Sequence, residues 1–181
     1  MLPFMVIDPP QHWIELVGLL VRHRVRFLLV GAHAVAAHGQ ARVTRDIDFF
    51  IDRTPENARR LAAAIRDFGF RETANATAEQ MTIPERMVRL GADLRIDIMN
   101  AISGVTFAEA WAHKKRTVFA GHRIWVIGKE ELLRNKLASG RPKDMADVAL
   151  IREVSLERVT RPRKAPRGRP SSASSRRPRP R

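Results

Sequence analysis

The chain has 181 residues, long enough for one domain with its own core, and its 44% apolar content fits a soluble globular protein. The absence of cysteine excludes disulfides and thiolate metal sites, and no run approaches the roughly 20 apolar residues of a membrane helix. The formal charge of +14 is local: ten of the 33 basic residues and none of the 19 acidic ones fall at 158–181, leaving 23 against 19, a net of +4, over 1–157.

The start, MLPFMVIDPPQHW, lacks the basic opening and long apolar stretch of a secretory leader, so the expected compartment is the cytoplasm, with no membrane partner. Pro9 and Pro10 precede an amphipathic helix predicted over 11–23, with Trp13, Leu16, Val17, Leu20 and Val21 on one side. A core strand follows at 26–30, then a short helix at 31–38 closed by Gly39. A second strand is predicted at 46–51. Thr54-Pro55-Glu56-Asn57 reads as an N-cap, a proline at the first helical position and an acid in the first turn, opening a helix to about Phe68. Strands at 86–90 and 94–99 flank a turn at Gly91-Ala92-Asp93. A helix at 106–113, a hairpin of 117–119 with 124–127 turning at Gly121, a helix at 129–139 stopped by Gly140, and a last helix at 142–153 complete the body.

The densest chemistry lies at 27–51. Asp46 and Asp48 alternate with Ile47, Phe49 and Ile51. On a strand both carboxylates then share one face, about 6.5 Å apart, while the apolar side chains face the core. Adjacent like charges gain nothing by themselves, and a divalent cation is the natural counter-charge. Arg95-Ile96-Asp97-Ile98-Met99 repeats the pattern, and if its strand lies beside the first, Asp97 reaches the same point. Three carboxylates converging from two adjacent strands would form a two-metal site able to hold a triphosphate and stabilise a leaving pyrophosphate. The turn at Gly31-Ala32 opens a helix whose free N–H groups suit phosphate oxygens, with Arg42, Thr44 and Arg45 close by as further contacts. No Walker P-loop pattern occurs.

A strand, a VGAHA turn, a helix, an R-x-T-R-D-I-D strand and a later I-D-I strand together resemble the DNA polymerase β-type nucleotidyltransferase superfamily. Within it the chain is most similar to the small bacterial enzymes of abortive-infection (AbiEii-like) and toxin–antitoxin systems. The likeness spans roughly 25–152 and continues in Leu132-Leu133-Arg134-Asn135-Lys136-Leu137 and Gly140-Arg141-Pro142-Lys143-Asp144-Met145-Ala146-Asp147. It implies an α/β (α+β) nucleotidyltransferase fold over 1–157, a small mixed sheet with flanking helices and a C-terminal helical pair. It also implies Mg²⁺, with Mn²⁺ as the alternative, on Asp46, Asp48 and Asp97, the last also a base toward an acceptor hydroxyl. Gly31 would cradle phosphates, Lys136 would contact the triphosphate, and Asp144 and Asp147 would position Lys136 or the nucleotide. The substrate would be a nucleoside triphosphate, the acceptor an RNA end, a protein side chain or a small molecule, and a cognate toxin or antitoxin a partner. Many relatives have Gly-Gly or Gly-Ser where this chain has Gly31-Ala32. That departure keeps open a second reading, an inactive antitoxin or nucleotide- or RNA-binding module.

Blander readings stand beside these. Asp46 and Asp48 could pair with Arg42 and Arg45, and Asp97 with Arg95 or a neighbouring strand. Asp144 and Asp147 could merely complement the dipole of the last helix. His33 and His38 are five apart, off the spacing of a helical metal pair, and read as packing or turn residues; Trp13, Trp111 and Trp125 read as core. Residues 158–181, rich in Arg, Pro and Ser, are too polar to offset their ordering entropy and are predicted to be disordered. Such a tail suits non-specific contact with nucleic-acid phosphates or is simply a solvated extension.

Overall fold

The computed structural model describes residues 9–39 and 43–160, the stretch 153–160 in backbone only. Among these residues the order is α1 (Gln11–Arg22), β1 (Phe27–Leu29), α2 (Gly31–Ala37), β2 (Ile47–Ile51), α3 (Pro55–Asp67), α4 (Ala74–Gln80), β3 (Met87–Leu90), β4 (Ile96–Met99), α5 (Phe107–Ala112), β5 (Lys115–Phe119), β6 (His122–Val126), α6 (Lys129–Ser139) and α7 (Pro142–Thr160). The expected α/β nucleotidyltransferase-type architecture is present, with one mixed sheet in the order β3-β4-β2-β1-β6-β5. The pairs β2–β4 and β1–β6 are parallel; β1–β2, β3–β4 and β5–β6 are antiparallel.

Local signals fix many boundaries. The Thr54 hydroxyl accepts from the Asn57 amide at the start of α3 with Pro55 next in line, as predicted. Thr106 and Glu109 close a capping box on α5. Gly140 ends α6 in the left-handed conformation. Two elements depart from expectation. Helix α4 went unpredicted, and α7 runs on to Thr160 instead of stopping near Glu153. Its end overlaps the first residues assigned to the tail; 161–181 lie outside the described residues.

Alternation sorts the sheet into two faces. Ile47, Phe49 and Ile51 of β2, with Phe27 and Leu29 of β1 and Ile96 and Ile98 of β4, pack with Trp13, Leu16, Val17 and Leu20 of α1 and Leu61 and Ile65 of α3 in one core. Val21, expected there, is 40% exposed instead. His33 is buried between Trp13 and Phe119, edge-on to both rings, and burial lowers its pKa to about 4, so it packs as a neutral ring. The opposite face carries Asp48, Phe50 and Asp97. Phe107 of α5 meets Phe50 and stacks on Trp111. Trp111 and Trp125 are half-buried, not core, and Lys114 lies over both rings. Two buried asparagines tie down strand ends. Asn57 bonds the backbone of Arg26 and Asp52, and Asn100 accepts from the Arg86 amide while donating to the Met81 and Ile83 carbonyls.

Candidate active site

A cavity of about 650 Å³ opens where β1 ends and β2 and β4 begin. Asp46, Asp48 and Asp97 lie on its floor with Gly31 and Ala32; Arg86, Met87 and Arg89 form one wall, and Lys136 of α6, Arg141 of the connection after it and Lys143 of α7 the other. The parallel register sets Asp48 directly beside Asp97, the juxtaposition the alternation of both strands requires.

The three carboxylates are held very differently. Asp48 has no hydrogen bond or ion pair from its side chain among the described residues. Burial, then the charges of Asp97 and Asp46, raise its pKa to about 6, against the opposing pull of Lys136 and Lys143. Gly31 makes this placement feasible: it sits at φ +63°, and a Cβ there would lie 2.0 Å from Asp48 Oδ2. Its bareness therefore makes room for a carboxylate as much as for a phosphate. Asp46 is half-exposed and meets Arg95 Nη1 once, at 3.4 Å. Asp97 is 7% exposed and takes a two-pronged bond from Arg89, Nε to Oδ1 and Nη2 to Oδ2, both 2.8 Å. Among the described residues, no three His, Asp or Glu side chains stand together as a ready-made metal cage.

Behind the second wall lies a closed ionic cluster. Lys136, 4% exposed, donates to Asp144 Oδ1 at 2.7 Å and meets Asp147 Oδ2 at 2.8 Å. Asp144, fully buried, also accepts from Ser139 Oγ and Arg141 Nε. Burial opposes its charge, but these donors outweigh burial and hold its carboxyl well below the usual carboxylate range. Lys136 is thus gripped by the two aspartates downstream of it and still borders the cavity, whereas Asp144 and Asp147 do not line it.

Of the remaining predicted residues, Thr44 lines the cavity and bonds the Asp46 amide and carbonyl, shaping the entry to β2. Arg45 is exposed and does not line the cavity; Arg42 lies outside the described residues. Sequence reasoning missed Arg89, Arg86, Arg141 and Lys143 as cavity residues. Arg95, expected on the Asp97 face, adopts φ +54° before β4 begins and reaches Asp46 Oδ1 at 3.4 Å.

No helix among the described residues is long and apolar enough to cross a membrane. A search of curated proteins finds no match to the chain. A family model does match, over residues 15–165, which takes in every cavity residue named above. With its mixed sheet, acidic floor and basic walls, the chain belongs to the family described as nucleotidyltransferases of unknown function (DUF6036).

Proposed function

We propose that the protein is a metal-dependent nucleotidyltransferase that moves a nucleoside monophosphate from a nucleoside triphosphate to a hydroxyl acceptor. The observation that carries this reading is the strand register, which sets Asp48, half-buried and with its pKa raised to about 6, beside Asp97 and two residues from Asp46 in a cavity walled by basic side chains. A carboxylate disfavoured in its charged form by burial and like charges gains from an arriving cation, and such perturbed groups cluster at functional sites. Asp46 and Asp48 suit Mg²⁺, with Mn²⁺ as the alternative, because Mg²⁺ is commonly held by one or two carboxylates together with substrate phosphates. When bound, the ion supplies charge that stabilises the departing pyrophosphate.

The chain's own groups do the rest. Lys143, Arg141 and Arg86 offer phosphate oxygens cations from both walls, and Lys136 has a third N–H beyond the two its aspartates hold. The acceptor oxygen bonds to the α-phosphorus as the bond from that phosphorus to the bridging oxygen breaks, and pyrophosphate leaves with the electron pair. The acceptor proton passes to Asp97, whose oxygens keep lone pairs beyond their bonds to Arg89. The sequence resemblance supports a setting in an abortive-infection or toxin–antitoxin pair, with RNA or protein as acceptor.

The test is transfer of α-labelled nucleoside triphosphates, one base at a time, into cellular RNA and protein with Mg²⁺ or Mn²⁺. Label that vanishes in Asp46→Asn/Asp48→Asn supports the reading. No label from folded protein with any base or ion moves the assignment to a binding module or antitoxin.

A further inference from the structure

Resting on that reading, we propose that Arg89 stands where a second metal ion would, so that the carboxylate row is a one-ion site: Asp46 and Asp48 hold the ion, and Asp97 belongs to Arg89. The register builds the arrangement. Asp97 lies between two direct neighbours, Arg89 on β3 and Asp48 on β2. Its carboxylate is committed to the β3 side, because both oxygens sit at 2.8 Å from the two prongs of one guanidinium. A forked pair on a carboxylate this buried is about twice as strong as a neutral hydrogen bond. The Asp46–Arg95 contact, single, 3.4 Å long and half-exposed, is weak by comparison. An arriving ion therefore displaces Arg95 from Asp46 far more readily than it displaces Arg89 from Asp97.

Charge gives the same answer. Three carboxylates are balanced by one divalent ion and one guanidinium, whereas a second divalent ion beside Arg89 would leave an excess of two positive charges before substrate binds. The absence of a three-ligand cage among the described residues fits a two-carboxylate ion site. Arg89 is also placed to act as a cation toward substrate. It lines the cavity, its side chain is 51% exposed, and two of its five N–H donors are used on Asp97. The other three remain available to phosphate or acceptor oxygens, the work a second ion performs in two-metal sites. Asn100 steadies the strand that carries it, by accepting from the Arg86 amide.

The test is a titration of the full chain with Mn²⁺ alone, reading free ion by electron paramagnetic resonance, with a thermal melt confirming each variant is folded. Wild type is expected to bind one Mn²⁺ per chain, and Asp97→Asn also one. Arg89→Gln, which frees Asp97, is expected to bind two, and Arg89→Gln/Asp97→Asn one again. Arg89→Lys keeps a charge beside Asp97 and should stay at one. Two ions on wild type, or a count that stays at one in Arg89→Gln, overturns the substitution of Arg89 for an ion while leaving a metal-dependent transferase standing. No ion on folded wild type overturns this inference, and the α-label transfer with Mg²⁺ or Mn²⁺ then decides the metal reading by itself.

Discussion

One cluster of charge lies on the floor of this cavity and another lies behind its second wall, and they are built on opposite rules. In the Lys136–Asp144–Asp147 cluster, with Arg141 at its edge, two buried carboxylates meet two cations at 2.6–2.8 Å. In the Asp46–Asp48–Asp97 row, three carboxylates meet one firmly seated guanidinium and one loose one, and Asp48 pairs with neither. Charges matched within the protein make a fastener. On the proposed reading, a charge left over at a fixed point in a cavity is a receptor for a cation.

The contrast can be broken most forcefully at the fastener. Lys136→Met leaves two buried carboxylates without their shared cation, and loss of one partner of a buried pair typically costs about 3–5 kcal/mol. A urea midpoint well below wild type, at unchanged slope, is the expected result; an unaltered midpoint would mean that the cluster does not hold α6 to α7. Gly31→Ala attacks the receptor. It places a methyl 2.0 Å from Asp48 Oδ2 at a left-handed backbone position, so it should cost about 2–3 kcal/mol and weaken Mn²⁺ binding by displacing the carboxylate.

Asp48→Asn should act in the other direction. A carboxyl with a folded pKa of about 6 against 3.8 binds its proton more tightly when native. Its contribution to stability is therefore present below pH 4 and lost as pH rises through 6. Removing the charge should stabilise the ion-free protein by roughly 1–2 kcal/mol at pH 7 and by nothing at pH 4, while abolishing transfer. Melting temperatures from pH 4 to 8 in chelator test this, and parallel curves for wild type and variant would defeat it. Arg95→Ala is the smallest case: a long, half-exposed contact is worth about 0.5 kcal/mol or less, and a larger loss would show that Asp46 is held more firmly than its geometry says.

The fastener and the receptor were legible to different degrees. Asp48 and Asp97 met as alternation and strand pairing required, and α6 falls on its predicted span, because a glycine stop acts locally. Arg89 escaped notice for a reason of register. A three-residue turn at 91–93 sets Met87 opposite Asp97; the five-residue loop 91–95, with left-handed Gly91 and Arg95, shifts the hairpin by two and brings Arg89 there. Helix α4 was invisible because Ala74–Gln80 is short and weakly apolar, and it is held by small residues, Ala58 and Ala62 of α3 against Ala78. Of the two partners the resemblance implied for Asp144 and Asp147, Lys136 or the nucleotide, both carboxylates meet Lys136.

The parallel pairing of β1 with β6, Leu29 beside Val126, joins positions roughly a hundred residues apart, a long closure that two-state chains make slowly. It also sets an order during synthesis. A chain emerging from the ribosome carries all three carboxylates and Arg89 by the end of β4, but Lys136, Arg141 and Lys143 come only after β6. Until α7 is out, the acidic floor exists without its second basic wall, and Lys136 lacks the aspartates that anchor it. The second basic wall and the ionic cluster behind it are thus completed only with α7.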